Sequence, residues 1–112
     1  MSAPARLEEQ ARAAIADATN DIFVSAASVW EAGVKTAAGR VTMPTSLDEM
    51  AASAGLLELA VVWRHARRAA NLPLLHRDPF DRMLVAQALE EQLVLMTRDP
   101  LVQQYAAPTM LA

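Results

Sequence analysis

The sequence predicts an α/β domain in which a parallel sheet is flanked by helices on both faces. Short apolar runs, too brief for helices, alternate with stretches of 3.6-residue periodicity. The first run, Ile22 to Val24, is apolar at consecutive positions, as in a strand buried on both faces. Helix-start and helix-stop residues separate the runs. The 112 residues suit one small domain, residues 1–112, with a modest core. Apolar residues make up 54% of the chain, which excludes a disordered class. Many are alanines, which favour close-packed helices.

The elements follow in order. Leu7, Ala11, Ala14, Ile15 and Ala18 share one face of a helix expected over residues 6–18. Asn20 and Asp21 break it. Ile22, Phe23 and Val24 form the first apolar run. Ser25 is the N-cap of a helix over residues 26–38, stopped by Gly39. Ser46 and Glu49 have the spacing of a capping box, and Gly55 ends the helix they start. Residues 56–62 read as a second strand, in which Leu57, Leu59 and Val61 alternate with Glu58, Ala60 and Val62. Residues 63–72 suit a short helix before Pro73. Asp78 at the N-cap, Pro79 at N1 and Asp81 at N3 open a helix that runs to about Gln92. Residues 93–96 give a third strand. Residues 100–105 suit a brief helix, and residues 109–111 a short last strand.

Several classes of function are excluded. The chain has no cysteine, so it has no disulfide, zinc thiolate site or cysteine nucleophile. Its net charge of −3 provides no general attraction for nucleic acid, so any such contact is local. The polar N-terminus does not read as a signal peptide, and no apolar run reaches the ~20 residues of a membrane span. A reducing, cytoplasmic setting is expected.

Three acids recur at the ends and beginnings of elements. Glu31 lies in the second turn of the helix after the first strand, Asp81 in the first turn of the helix before the third, and Asp99 just beyond that strand. Ligands of parallel α/β sheets bind at the carboxyl ends of the strands. Converging carboxylates repel one another unless a cation sits between them. Magnesium takes such oxygen ligands, activates water and neutralises a phosphodiester, so the implied chemistry is metal-assisted phosphodiester hydrolysis. Each acid also has a plain structural role open to it. Asp81 complements a helix dipole, worth roughly 0.3–1 kcal/mol. Glu31 has Lys35 at i,i+4. Asp99 precedes Pro100 and suits a turn.

The local wording is more specific. Val24-Ser25-Ala26-Ala27-Ser28-Val29-Trp30-Glu31 resembles a strand-to-helix segment of VapC-type PIN domains. His76-Arg77-Asp78-Pro79-Phe80-Asp81-Arg82-Met83-Leu84-Val85-Ala86-Gln87-Ala88 resembles that family's most characteristic stretch. Thr97-Arg98-Asp99 is similar to its last acidic motif. His65-Ala66 and Leu72-Pro73 fit the segment ahead of the central motif. The agreement extends over roughly residues 5–111. The resemblance implies a PIN fold and a magnesium- or manganese-dependent endoribonuclease, the toxin of a type II toxin–antitoxin pair. It also implies a homodimer held in check by a cognate antitoxin whose tail enters the acidic groove. Mapped by motif, Glu31, Asp81 and Asp99 are the catalytic, metal-holding acids. Beside them, Asp78, Thr97 and Arg82 are expected to support these acids, and Arg77 and Arg98 to bind RNA phosphates.

One departure stands out. The family opens on an apolar strand ending in an aspartate, and Met1-Ser2-Ala3-Pro4 begins where that strand is expected to be over. The expected fold therefore lacks its first, central strand: either the true start lies upstream, or the chain is a relic, or another chain fills the gap. Asp17, Asp21, Glu8 and Glu9 are poor substitutes for the aspartate. The alternative is a catalytically inactive PIN module that binds an antitoxin-like partner or assembles with another chain.

Other residues carry weaker expectations. Arg77, Arg82 and Arg98 suit salt bridges to Asp78, Asp81 and Asp99 as well as phosphates. His65 and His76 lack metal-ligand spacing. Trp30 and Trp63 suit core or interface anchors, because no basic aromatic stripe accompanies them. Met43, Met50, Met83, Met96 and Met110 suit core gap-filling.

Overall fold

The structure, a computed structural model, describes residues 13, 16, 17, 19–97, 100–105 and 107–111; for residues 97, 110 and 111 it describes the backbone alone. The helix expected over residues 6–18 falls almost wholly outside these. Within it, Ala13 and Ala16 are helical, and the Asp17 N–H donates to the Ala13 carbonyl at 3.0 Å. The chain forms two compact units. One is Asp21–Val61; the other is Val62–Ala112 together with the residues up to Asn20. No described helix is long and apolar enough to cross a membrane.

In the unit Asp21–Val61, strand β1 (Phe23–Ser25) pairs in parallel with β2 (Leu57–Leu59), with Phe23 opposite Leu57 and Ser25 opposite Leu59. Helices α1 (Ala26–Ala37) and α2 (Leu47–Ser53) form the crossover that parallel pairing needs. Ser25 both ends β1 and caps α1, its Oγ accepting the Ala27 N–H at 3.0 Å. Gly39 and Gly55 take φ values of +73° and +75° and close the two helices from the left-handed region, as their positions predict.

Three expectations for this unit need correction. The second strand is shorter than residues 56–62. Leu56 is still tied to the helix, its N–H donating to the Ala51 carbonyl at 2.9 Å, and Val62 turns out to cap the next helix. Ser46 does not close a capping box on the backbone. Its hydroxyl donates to Glu49 Oε1 at 2.9 Å instead. Strand β1 is also not buried on both faces, since Phe23 stays exposed. The buried side chains here are Ser25, Ala27 and Ala51, too small to cover large neighbours.

In the other unit, helices α3 (Trp63–Ala70) and α4 (Pro79–Glu91) pack against each other. Strand β3 (Leu95–Thr97), helix α5 (Pro100–Gln103) and strand β4 (Thr109–Leu111) follow, with β3 and β4 paired in parallel. The third strand starts two residues later than expected. Gln92 leaves α4 in the left-handed region (φ 56°), and the Leu93 N–H still donates to the Ala88 carbonyl at 2.9 Å. The core joins Val85 and Ala88 of α4 to Val102, Tyr105 and Ala107, with Leu72, Leu89 and Leu95 against them. The molecule is thus α/β, with short parallel strands flanked by helices.

Neither tryptophan is a core residue. Trp30 is 67% exposed and Trp63 89% exposed. Both stand on helix faces turned away from the small interiors their units provide. Met50 is likewise exposed and fills no core gap.

Candidate functional site

The site is most fully defined at the head of α4. Asp78 is the N-cap, as its place before Pro79 predicts. Its Oδ1 accepts the N–H groups of Phe80 at 2.8 Å and Asp81 at 3.3 Å. Asp81 is therefore held at N3. Its carboxylate reaches back to the preceding loop, where Oδ2 meets His76 Nε2 at 2.9 Å. His76 Nδ1 accepts the Asp78 N–H at 3.2 Å.

The loop carrying His76 is fixed from beneath by two side chains. Buried Tyr105 accepts the N–H groups of Leu75 at 3.2 Å and His76 at 3.0 Å with its phenolic oxygen, and donates its own proton to the Pro73 carbonyl at 2.8 Å. The Arg82 guanidinium donates to the carbonyls of Ala69 (2.8 Å), Leu72 (3.1 Å), Pro73 (3.1 Å) and His76 (3.4 Å), and approaches the Tyr105 hydroxyl at 3.4 Å. It thereby adds a charged donor to carbonyls at and beyond the end of α3, among them that of Ala69, which also accepts the Leu72 N–H at 3.5 Å. Among the described residues Arg82 forms no salt bridge with an acid. It supports the site by holding the turn before Asp78. Tyr105→Phe removes the proton for Pro73 and the acceptor for two loop N–H groups. A loss of roughly 1–3 kcal/mol is expected in urea denaturation.

Glu31 lies in the second turn of α1, half-buried, and pairs with Lys35 Nζ at 3.2 Å, the i,i+4 contact its spacing allows. Thr97 ends β3 opposite Leu111. Arg98 and Asp99 lie outside the described residues. Arg77 is exposed and forms no ion pair among the described residues, so the expected bridge to Asp78 is absent and the guanidinium faces solvent. Asp17 is occupied locally. Its Oδ1 accepts from the Thr19 hydroxyl at 2.7 Å and the Thr19 N–H at 2.9 Å, and these bonds hold its carboxyl below the usual range.

His65 is 1% exposed and has a structural role that its sequence surroundings did not suggest. Its Nδ1 accepts the Val62 N–H at 3.2 Å, which caps α3, and its Nε2 lies 2.7 Å from Glu91 Oε2 at the end of α4. Arg64 also binds that carboxylate oxygen, and Arg68 meets Glu90 at 2.9 Å. The hydrogen bond from His65, and then Arg64, hold the Glu91 carboxyl below the ordinary glutamate value of 4.5. A carboxyl lowered in the folded state stabilises above its unfolded pKa and loses that effect as pH falls through the folded one. Comparison with Glu91→Gln by thermal unfolding is expected to show a stability gap that is constant above pH 4.5 and narrows below it.

Glu31 and Asp81 offer hard oxygen donors at partly exposed positions, which suits magnesium or manganese in donor chemistry. Among the described residues, no three His, Cys, Asp or Glu side chains gather into a metal-binding group. A groove of roughly 550 Å³ between α1 and the start of α2 is lined by Val29, Gly33, Thr36, Met43 and Leu47; Glu31 does not line it.

Comparison with known proteins adds the family. No curated protein and no solved structure matches the chain. The PIN domain family matches residues 3–108, across both units. PIN domains are generally nucleases, and they usually use divalent metals. With a match over nearly its whole length, and with parallel strands and helices in the expected order, the chain belongs to the PIN domain family.

Proposed function

We propose that the protein is a magnesium-dependent endoribonuclease, with manganese as a substitute, acting as the toxin of a type II toxin–antitoxin pair of the VapC type. Glu31, Asp81 and Asp99 are its metal-holding, catalytic carboxylates. The observation that carries the proposal is the head of α4, where Asp78 caps the helix and Asp81 is fixed at N3 with its carboxylate turned to the loop. The chemistry a bound divalent cation supplies is activation of water and neutralisation of charge on the phosphodiester. The rest falls to the chain. Arg77 and Arg98 bind RNA phosphates, which guanidinium groups take two oxygens at a time. Asp78 and Thr97 orient neighbouring acids. Arg82 acts through the loop it holds.

The proposed partners are a cognate antitoxin and a second copy of the chain. The two exposed tryptophans suit such interfaces, where large aromatic side chains are enriched. RNA incubated with folded protein and magnesium is expected to be cut internally, with no cutting in EDTA. RNA left intact under the first condition contradicts the proposal. It favours the inactive module that only binds an antitoxin-like partner or assembles with another chain.

A further inference from the structure

We infer that His76 is the positioning residue for Asp81, acting through a neutral ring that carries its proton on Nε2. The inference rests on the metal-holding role proposed for Asp81.

The proton's place follows from the contacts. The Asp78 N–H donates to His76 Nδ1 at 3.2 Å, so Nδ1 presents a lone pair. Nε2 then carries the hydrogen and donates it to Asp81 Oδ2 at 2.9 Å. The residue that carries the ring is held on three further counts. Its backbone N–H donates to the Tyr105 phenolic oxygen at 3.0 Å, its backbone carbonyl accepts from Arg82 at 3.4 Å, and its side chain is only 13% exposed. The Asp81 side chain is 26% exposed, enough to swing if nothing held it. A rigid donor on one oxygen fixes the plane of the carboxylate.

His65 shows the same arrangement elsewhere in the unit. Its Nδ1 accepts a backbone N–H and its Nε2 meets Glu91, but there the carboxylate closes α3 onto α4. At His76 the carboxylate belongs to the characteristic motif instead. Residues that orient a metal ligand by such a hydrogen bond typically govern affinity by roughly ten- to a hundredfold.

The test is calorimetric titration of the full chain with manganese alone, using His76→Ala, His76→Gln and Asp81→Asn. His76→Ala is expected to bind roughly ten- to a hundredfold more weakly than wild type. His76→Gln, which returns an N–H donor, restores most of that loss. Asp81→Asn binds more weakly than either. Wild-type affinity in His76→Ala, alongside a loss in Asp81→Asn, overturns the positioning role and leaves the metal site standing. Wild-type affinity in Asp81→Asn removes the site and the inference together. A nitrogen NMR spectrum of the wild-type imidazole checks the tautomer without any variant. Protonated Nε2 beside bare Nδ1 supports the inference, and a proton on Nδ1 overturns it.

Discussion

Arg82→Ala is expected to lower stability by about 3 kcal/mol, because one side chain satisfies four backbone carbonyls and touches a buried phenol. The last turn of α3, the turn after it and the loop before α4 all lose a donor at once. At a small domain's entropy of unfolding, that corresponds to a fall in Tm of roughly 12–24 °C. Arg82→Lys is expected to recover little. An ammonium group keeps the charge but not the planar fork that reaches acceptors on both sides. Chemical denaturation of both variants measures the effect. A loss below about 1 kcal/mol in the alanine variant would mean that the carbonyls find water instead, as exposed groups do.

Asp81→Asn is expected to behave in the opposite way. RNA cleavage should fall by at least about a hundredfold, since the change removes a charge at the proposed metal and not merely a group that orients it. Stability should change by less than about 1 kcal/mol, the worth of one carboxylate at a helix N-terminus. The asparagine oxygen still accepts from His76 Nε2, so the loop keeps its shape. Side-by-side cleavage assays and thermal unfolding separate the two effects. A variant that cuts RNA as wild type does would remove Asp81 from the chemistry.

The contrast between these two residues shows what sequence reading reached. The start of α4 was legible because capping is local: Asp78 binds the N–H groups of Phe80 and Asp81, within three positions of itself, and Pro79 suits N1. Gly39 and Gly55 were legible for the same reason. Arg82 was not. Spacing suggested neighbouring acids as its partners, whereas its acceptors are carbonyls up to thirteen residues away whose position depends on where α3 ends. Tyr105 lies about thirty residues beyond the loop it holds, and nothing local announces that contact. Strand limits shifted because helix-closing hydrogen bonds at Leu56 and Leu93 consumed residues that apolar character alone assigned to strands. Within the candidate site, Asp81 could be named from its motif. His76 could not be paired with it, because the pairing depends on a loop shaped from afar.

The proposal that Glu31, Asp81 and Asp99 share one cation is tested most directly by paramagnetic broadening. Manganese is added well below one equivalent while the amide resonances of the chain are followed by NMR. The account predicts that residues around 31, 81 and 99 broaden first and together. Broadening at only one of these three stretches, or spread evenly over every acidic residue, would contradict it.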